Sequence, residues 1–577
     1  MANPHVVAMG HILSDMGINM RYPLIIKKEA ETMKKTIALL LACILTFSLA
    51  GCATQSTGNE APAPGASTDP AGNEPSESSP ADDELKVLKY ANVYPDMQVL
   101  DVMKSTTTDT IQAGSMVCEA LLDFEEDFSV TPLLLKEMPT SEDGVTFHCE
   151  LKEGVLFHDG TELKATDVEF TFKRMFLPET ACVNTFLCDM ILGAKEMLDG
   201  QTTELAGFTV TGDYTFDITL EGPYAPFLSV LACEQLSIYP EKACTEAGDR
   251  WGVDVFVGTG PFKLKEFTPK DRLVVERFED YHGEQPYLDQ IEMYNMDANT
   301  MLLEYESGNL DIVGVQQDQA DAYRNDEAFA DQFVINPLIG TISMNLNVEM
   351  APLDNVKVRE AIGYAVDRQS MVDNYLKGNA IATSCFIPRG CMAFDEDRPI
   401  DKYDPEKAKE LLAEAGYPDG IHIVTTISEK SSAVGVATVL QQQMKEAGIE
   451  FEIQKVDDAA YIDLRSNGEV QVAFSTWYAD IVDPDNFLYT ILHSESSPFF
   501  SSNYNNPEFD ALLEEARVIT DADKREELYL EAEALAVTVD FVNVPLYNPI
   551  KFYLVQENVE GAKFLNSMVD LFYVTKS

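Results

Sequence analysis

Apolar and polar positions alternate and cluster along residues 85–577 in two rhythms, and the two rhythms take turns. Residues 85–94, LKVLKYANVY, read as an opening strand. Residues 145–160, VTFHCELKEGVLFHDG, read as two strands joined around Lys152-Glu153-Gly154, with Asp159-Gly160 making the next turn. In ATDVEFTFKRMF, Val168, Phe172, Met175 and Phe176 fall on one helical face, and Thr166 and Glu169 stand at capping-box spacing. Residues 208–220 alternate around Gly212-Asp213 as a hairpin does, and 257–283 read as turn, strand, turn, strand. A helix near 299–307 stops at Gly308, and LDIVGV resumes as a strand.

The character changes at GTISMNLNVEM, residues 340–350. One helix is expected over DNVKVREAIGYAVDRQSMV, with Val358, Ile362, Ala365 and Val366 facing inward. Another opens with Asp404 as N-cap and Pro405 at the first helical position, and ends at Gly416. The segment SSAVGVATVLQQQMKEAG closes at Gly448 and runs directly into the alternating strand IEFEI. Strands and helices interleaved throughout predict a mixed α/β architecture with a second lobe carrying its own sheet. No repeat of 20–50 residues is present, which excludes a solenoid.

The start of the chain follows different rules. Residues 33–52, MKKTIALLLACILTFSLAGC, combine the basic Lys34-Lys35 head with a short apolar run ending in Leu49-Ala50-Gly51-Cys52. That is the pattern of a lipoprotein signal: small residues precede a cysteine whose thiol is acylated before cleavage. Residues 1–32 are read as an upstream extension or a mis-called start. Residues 53–84 contain no leucine, isoleucine, valine or aromatic residue, so they have nothing with which to build a core and are expected to be a disordered tether. Cys52 is therefore the expected lipidation site, and the protein is expected outside the cytoplasm, anchored to the membrane rather than spanning it.

With 41 basic and 97 acidic residues, the chain carries a formal charge of −56. Such a surface repels phosphates and excludes nucleic acid as a partner. Among the ten cysteines none forms a C-x-x-C pair and no histidine cluster accompanies them, so no metal and no cofactor is expected. Cys182–Cys188 and Cys385–Cys391 stand at the spacing of short-loop disulfides, although spacing leaves the connectivity open. There is no G-x-S-x-G elbow, no H-E-x-x-H and no phosphate-binding glycine loop, and each of the seven histidines has an ordinary surface or core explanation. An enzyme is not expected.

Several segments, taken in order, resemble the large extracytoplasmic solute-binding proteins of peptide-type ABC importers, family 5, and the dipeptide and oligopeptide branch most. They are the Leu49–Cys52 lipobox, LKEGVLFHDGTELKATDVEFTFKRM at 151–175, GTGPFKLKEF at 258–267 and FEDYHGEQPYLDQI at 278–291. LDNVKVREAIGYAVDR at 353–368, DPEKAKELLAEAGY at 404–417 and YNNPEFDALLEEA at 504–516 complete the set. The resemblance implies a two-lobed, hinged periplasmic-binding-protein type II fold with an extra domain inserted in the first lobe. The first lobe would hold 85–123, 219–340 and 545–577, the inserted domain 124–218, and the second lobe 341–544. It further implies a peptide ligand, a membrane permease and ATPase as partners, and a monomer. A receptor of the same fold for a nickel chelate, an oligosaccharide or haem is the alternative, and an exported hydrolase a more distant one.

The resemblance also gives meaning to residues 474–487, FSTWYADIVDPDNF. In peptide-binding members a tryptophan and, three residues later, an aspartate occupy this place, and the aspartate meets the ligand's α-ammonium. Here they are Trp477 and Asp480. Ser475, Thr476, Trp477 and Tyr478, with Asn92, Val93 and Tyr94 of the first strand, are the expected backbone and pocket contacts. Asp483 and Asp485 are read as turn-formers around Pro484.

Overall fold

The structure is a computed structural model, and it describes residues 85–92, 97–400 and 403–577. The expected signal, tether and lipid site at Cys52, and the predicted contacts at Val93 and Tyr94, lie outside the described residues. Among the described residues no helix is long and apolar enough to cross a membrane.

A twelve-stranded mixed sheet organises the folded unit. From one edge it runs Ile449–Val456, Ile421–Ser428, Val472–Tyr478, Gly340–Leu346, Asn543–Val555, Ile312–Val315, Val87–Asn92, Gln290–Asn295, Arg272–Arg277 and Phe262–Thr268. Phe333–Pro337 and Ala380–Ala382 pair alongside the long central strand. That strand, Asn543–Val555, is the continuous link across the molecule. Its first residues pair with Gly340–Leu346, whereas Phe552–Val555 pair with Ile312–Val315. Two large apolar cores lie to either side: one built around Leu88, Phe172 and Phe216, the other around Met344, Ile423 and Leu440. This is a two-lobed α/β fold of the periplasmic-binding-protein type.

The lobe cores follow from the local pattern. Val358, Ile362, Ala365 and Val366 are all fully buried, as their helical spacing predicts. Asp404 accepts from the amide of Lys407 and caps helix Pro405–Glu414, while Gly416 and Gly448 take the left-handed conformation that ends the two helices. The hairpin at Gly212-Asp213 forms, with Phe208–Val210 antiparallel to Thr215–Thr219.

Four expectations are corrected. Thr146–Glu150 does not form a local hairpin about Gly154; it pairs with Thr215–Thr219, while Val155 and Phe157 turn inward as core plugs. Burial of those two side chains outweighs the alternation that suggested a second strand. Helix Ala165–Phe176 starts before the expected cap, because Asp167 accepts the Lys164 amide at 3.0 Å and Glu169 instead pairs with Lys173 at 2.9 Å. The single helix expected over 354–372 is broken: Val356–Tyr364 ends, and Asp367 begins a new helical segment by accepting from Ser370 N at 2.8 Å. An aspartate competes for backbone amides more strongly than it favours a helix interior. Finally, all eight cysteines of the described residues are free thiols, so neither short-loop disulfide forms.

Candidate functional site

Strand Val472–Tyr478 starts in a core and ends in the open. Val472 and Phe474 pack into the second-lobe core, while Thr476 and Tyr478, on the same face, are exposed. On its inner side the whole strand pairs with Gly340–Leu346. On its outer side it meets Ile421–Ser428 only at Val472, opposite Thr425. The outer backbone edge from Ala473 to Tyr478 therefore has no strand partner among the described residues, and Ser475, Thr476, Trp477 and Tyr478 all lie on it.

Asp480 follows directly. Asn486, on the first turn of helix Asp485–Leu492, holds it: Asn486 Oδ1 accepts from both Asp480 N at 3.0 Å and Trp477 Nε1 at 3.1 Å. The Asn486 side-chain amide also reaches Asp480 Oδ2, at 3.5 Å. Trp477 is half-buried and has a supporting role, with its ring edge-on to Phe500 at 5.8 Å. No cation pairs with the Asp480 carboxylate among the described residues. Burial raises its pKa from the ordinary 3.8 to about 6, and only the Asn486 amide opposes that rise.

The other two aspartates do something different, and the reading of them as plain turn-formers is incomplete. Asp483 receives Arg525 Nη2 on both its oxygens at 2.9 Å. Asp485 accepts the Tyr224 hydroxyl at 3.0 Å and lies 3.2 Å from Arg517. Both carboxylates are buried, and with their arginines they tie helices Pro507–Val518 and Ala522–Ala534 to the 483–486 turn. Three acids in one short stretch thus separate into two with arginine partners and one that, among the described residues, has only an amide.

Two side chains distant in sequence hold the backbone at Asp480. Cys233 Sγ donates to the Asp480 carbonyl at 3.6 Å. Asn566, held in the left-handed region at φ 47°, donates to the Ala479 carbonyl at 3.0 Å and accepts from Ile339 N at 3.0 Å. Its own carbonyl accepts from Asn336 Nδ2 at 2.7 Å. The predicted first-lobe residue Asn92 ends strand Val87–Asn92, where a Cβ on Gly314 of the neighbouring strand would collide with its side-chain oxygen. A glycine there leaves room for Asn92 at the carboxyl end of two parallel strands, the usual place for a ligand in an open α/β sheet. Asn486 lies within DPDNFL, residues 483–488, a stretch similar to the dipeptide-binding branch, whereas Asn566 and Cys233 carried no motif signal and become site neighbours only through folding.

Among the described residues no group of three His, Cys, Asp or Glu side chains is arranged to hold a metal ion.

Comparison with known proteins gives the same picture. Residues 129–499 match the model of "Bacterial extracellular solute-binding proteins, family 5 Middle". The chain is 28% identical over 455 residues to the dipeptide-binding protein of Escherichia coli, covering 74% of this chain and 84% of that protein. It is also 28% identical to heme-binding protein A of Haemophilus influenzae, over 78% of this chain and 84% of the relative. The structure superposes, with a TM-score of 0.69 and 25% identity, on the periplasmic binding protein DppA of Helicobacter pylori in complex with the peptide STSA. That match covers 85% of this chain and 98% of the other. By sequence and by fold, the chain belongs to the bacterial extracellular solute-binding proteins of family 5.

Proposed function

We propose that this protein captures short peptides between its two lobes and delivers them to an ABC permease and its ATPase. The observation that carries this reading is the Asp480 carboxylate, set without a cation at the end of a strand whose outer edge is open. A peptide offers the matching chemistry: an α-ammonium for Asp480 and a backbone to add to Ser475–Tyr478. A receptor for many sequences must hold what all peptides share. Trp477 and Tyr478 then wall the first side-chain pocket, and Asn92, Val93 and Tyr94 close on the ligand from the first lobe. The relatives named for dipeptides, and the neighbour bound to STSA, support peptides over other cargo.

In this reading the inserted domain is 124–218, the second lobe 341–544, and the remainder of 85–577 the first lobe. The chain works as a monomer with no catalytic group. Its Cys52 carries lipid, which holds it at the outer face of the cell membrane, and residues 53–84 are its tether; the lipobox pattern supports this.

Native mass spectrometry of the purified protein, followed by calorimetry with peptides of two to five residues, tests the proposal. Bound peptide masses and micromolar or tighter binding are expected. A bound haem, seen as its own mass and a visible absorption band, would instead favour the haem-type relative, and inert peptides of every length would refute the proposal.

A further inference from the structure

One amide touches both residues on which the site depends. Asn486 is the second residue of helix Asp485–Leu492 and is buried. Its base is rigid. Asp483 Oδ1 accepts from Asp485 N at 3.0 Å, and the Asp483 carbonyl accepts from Asn486 N at 3.1 Å. Phe487 and Leu488, the next two residues, are fully buried, and Asp483 is itself gripped by Arg525. From that base the Asn486 side chain spans the end of strand Val472–Tyr478. Its oxygen lies 3.1 Å from Trp477 Nε1 and 3.0 Å from Asp480 N, and its nitrogen 3.5 Å from Asp480 Oδ2.

These partners leave the amide a single orientation. An indole N–H and a backbone N–H only donate, so the oxygen must face them and the NH2 group must face the carboxylate. No other side chain of similar size does all three. An aspartate would accept both N–H bonds but set a second negative charge against Asp480. A leucine, of similar shape, would leave both donors without an acceptor. The backbone has anchors of its own. Cys233 and Asn566 bond to the carbonyls of Asp480 and Ala479, Ala479 N donates to the Ile339 carbonyl at 2.9 Å, and Ile481 is buried in the core around Leu88. What Asn486 adds is control of two side chains, the Trp477 ring and the Asp480 carboxylate.

We infer that Asn486 is a positioning residue for capture: one side-chain amide fixes the Trp477 ring and the Asp480 carboxylate relative to each other, so that the two act as one receptor for an amine. The inference rests on the Asp480 reading and deepens it. Its electrostatic consequence has a definite sign. The Asn486 NH2 group stabilises the ionised carboxylate against the burial that raises it to about 6. Losing that donor moves the carboxylate further up, so the loss of affinity with acid begins at higher pH. The titratable groups on the elements packed against Asp480 form no ion pair with it among the described residues. They are Cys233, whose thiol burial pushes well above its ordinary value, and Glu234 beside it; Tyr478, also raised by burial; and Lys563 and Asp570 on the hairpin that carries Asn566. Asp483 and Asp485, on its own turn, are paired with arginines.

Two measurements on wild type, Asn486→Leu and Asn486→Asp test this. Calorimetry across pH, with the tightest-binding alanine peptide of two to five residues and its N-acetyl form, reads the carboxylate. The indole N–H resonances of protein carrying isotope-labelled tryptophan read the ring. The chain has two tryptophans. Among the described residues Trp251 Nε1 has no hydrogen-bond partner, whereas Trp477 Nε1 has Asn486, and the Trp477 signal is the one missing from Trp477→Phe. Asn486→Leu should bind the free peptide roughly ten- to hundredfold more weakly at neutral pH, the range for one hydrogen bond to a charged group. Its affinity should begin to fall about one pH unit higher, and its Trp477 signal should move upfield while that of Trp251 stays. Asn486→Asp keeps an acceptor for the indole, so its Trp477 signal should stay near the wild-type position while its pH profile still moves up by about one unit or more. If Asn486→Leu does not fold, Asn486→Asp decides alone. An unmoved pH profile in Asn486→Asp, or an unmoved Trp477 signal in a folded Asn486→Leu, overturns the inference. So does a loss of affinity shared equally by the free and acetylated peptides, which marks a purely structural role. If acetylation costs the wild type nothing, the Asp480 reading falls; if it costs the wild type dearly but the variants behave as wild type, the Asn486 inference falls alone. No binding by any alanine peptide removes both.

Discussion

The sharpest consequence of the site concerns acid. Asp480 is raised from 3.8 to about 6 by burial, with only one amide to offset the cost of its charge. An ammonium arriving at this carboxylate stabilises the charged form and lowers the pKa again. The free protein therefore takes up a proton as pH falls through 6, while the complex does not until lower pH. Affinity should be level above about pH 7 and fall below 6, approaching tenfold per pH unit. If the bound carboxylate titrates at or below its ordinary value, the loss reaches roughly a hundredfold by pH 4, or about 3 kcal/mol. Replacing Asp480 with Asn keeps the shape but removes the charge. At pH 7.5 that should cost about 3–5 kcal/mol, the range for breaking a buried pair, which is roughly two to four decades in Kd. The same variant should show no slope between pH 4 and 7. The assay is calorimetry across pH with one free peptide and its N-acetyl form, on wild type and Asp480→Asn. Acetylation should cost the wild type about as much as the substitution does, and should cost the variant almost nothing further. An acetylated peptide that binds wild type within threefold of the free one would refute the reasoning, as would a pH slope that survives in Asp480→Asn.

The remaining predictions concern the frame around the site and the anchor. Asp483→Ala leaves Arg525 buried without its bidentate partner, so urea unfolding should show a loss of about 3–5 kcal/mol; a loss under 1 kcal/mol would mean the pair is dispensable. Burial pushes Cys149 up to about 12 and Cys182, Cys244 and Cys385 up to about 11, so at pH 8 the native thiols should react slowly with an aromatic disulfide reagent. All eight thiols of residues 85–577 should titrate in denaturant without reductant, and fewer would mean that a disulfide forms. Cys52→Ser should release the protein from the membrane fraction, and retention there would contradict the lipid anchor.

Much of the frame is legible in the sequence because it depends on neighbours a few residues apart. The 358–366 stripe, the Asp404-Pro405 helix start and the glycines that end helices at 416 and 448 are local choices of burial and backbone geometry, and the structure keeps them. Where a local signal had a rival, tertiary burial decided. Val155 and Phe157 were worth more as core plugs than as strand residues. At Asp367 the rival was itself local: its carboxylate caps a new helical segment by accepting from Ser370 N. The address at 33–52 and the acidic balance need no fold at all. The site is different. Asp480, Asp483 and Asp485 are the same residue type within six positions; the spacing from Trp477 and the turn at Pro484 set Asp480 apart, but no local signal gives the charge partners of the other two. Only folding brings Arg525 and Arg517, some 40 and 30 residues downstream, onto two of them and leaves the third with no cation among the described residues. Charge compensation is a property of distance in space, and the chain fixes that distance only once it has folded.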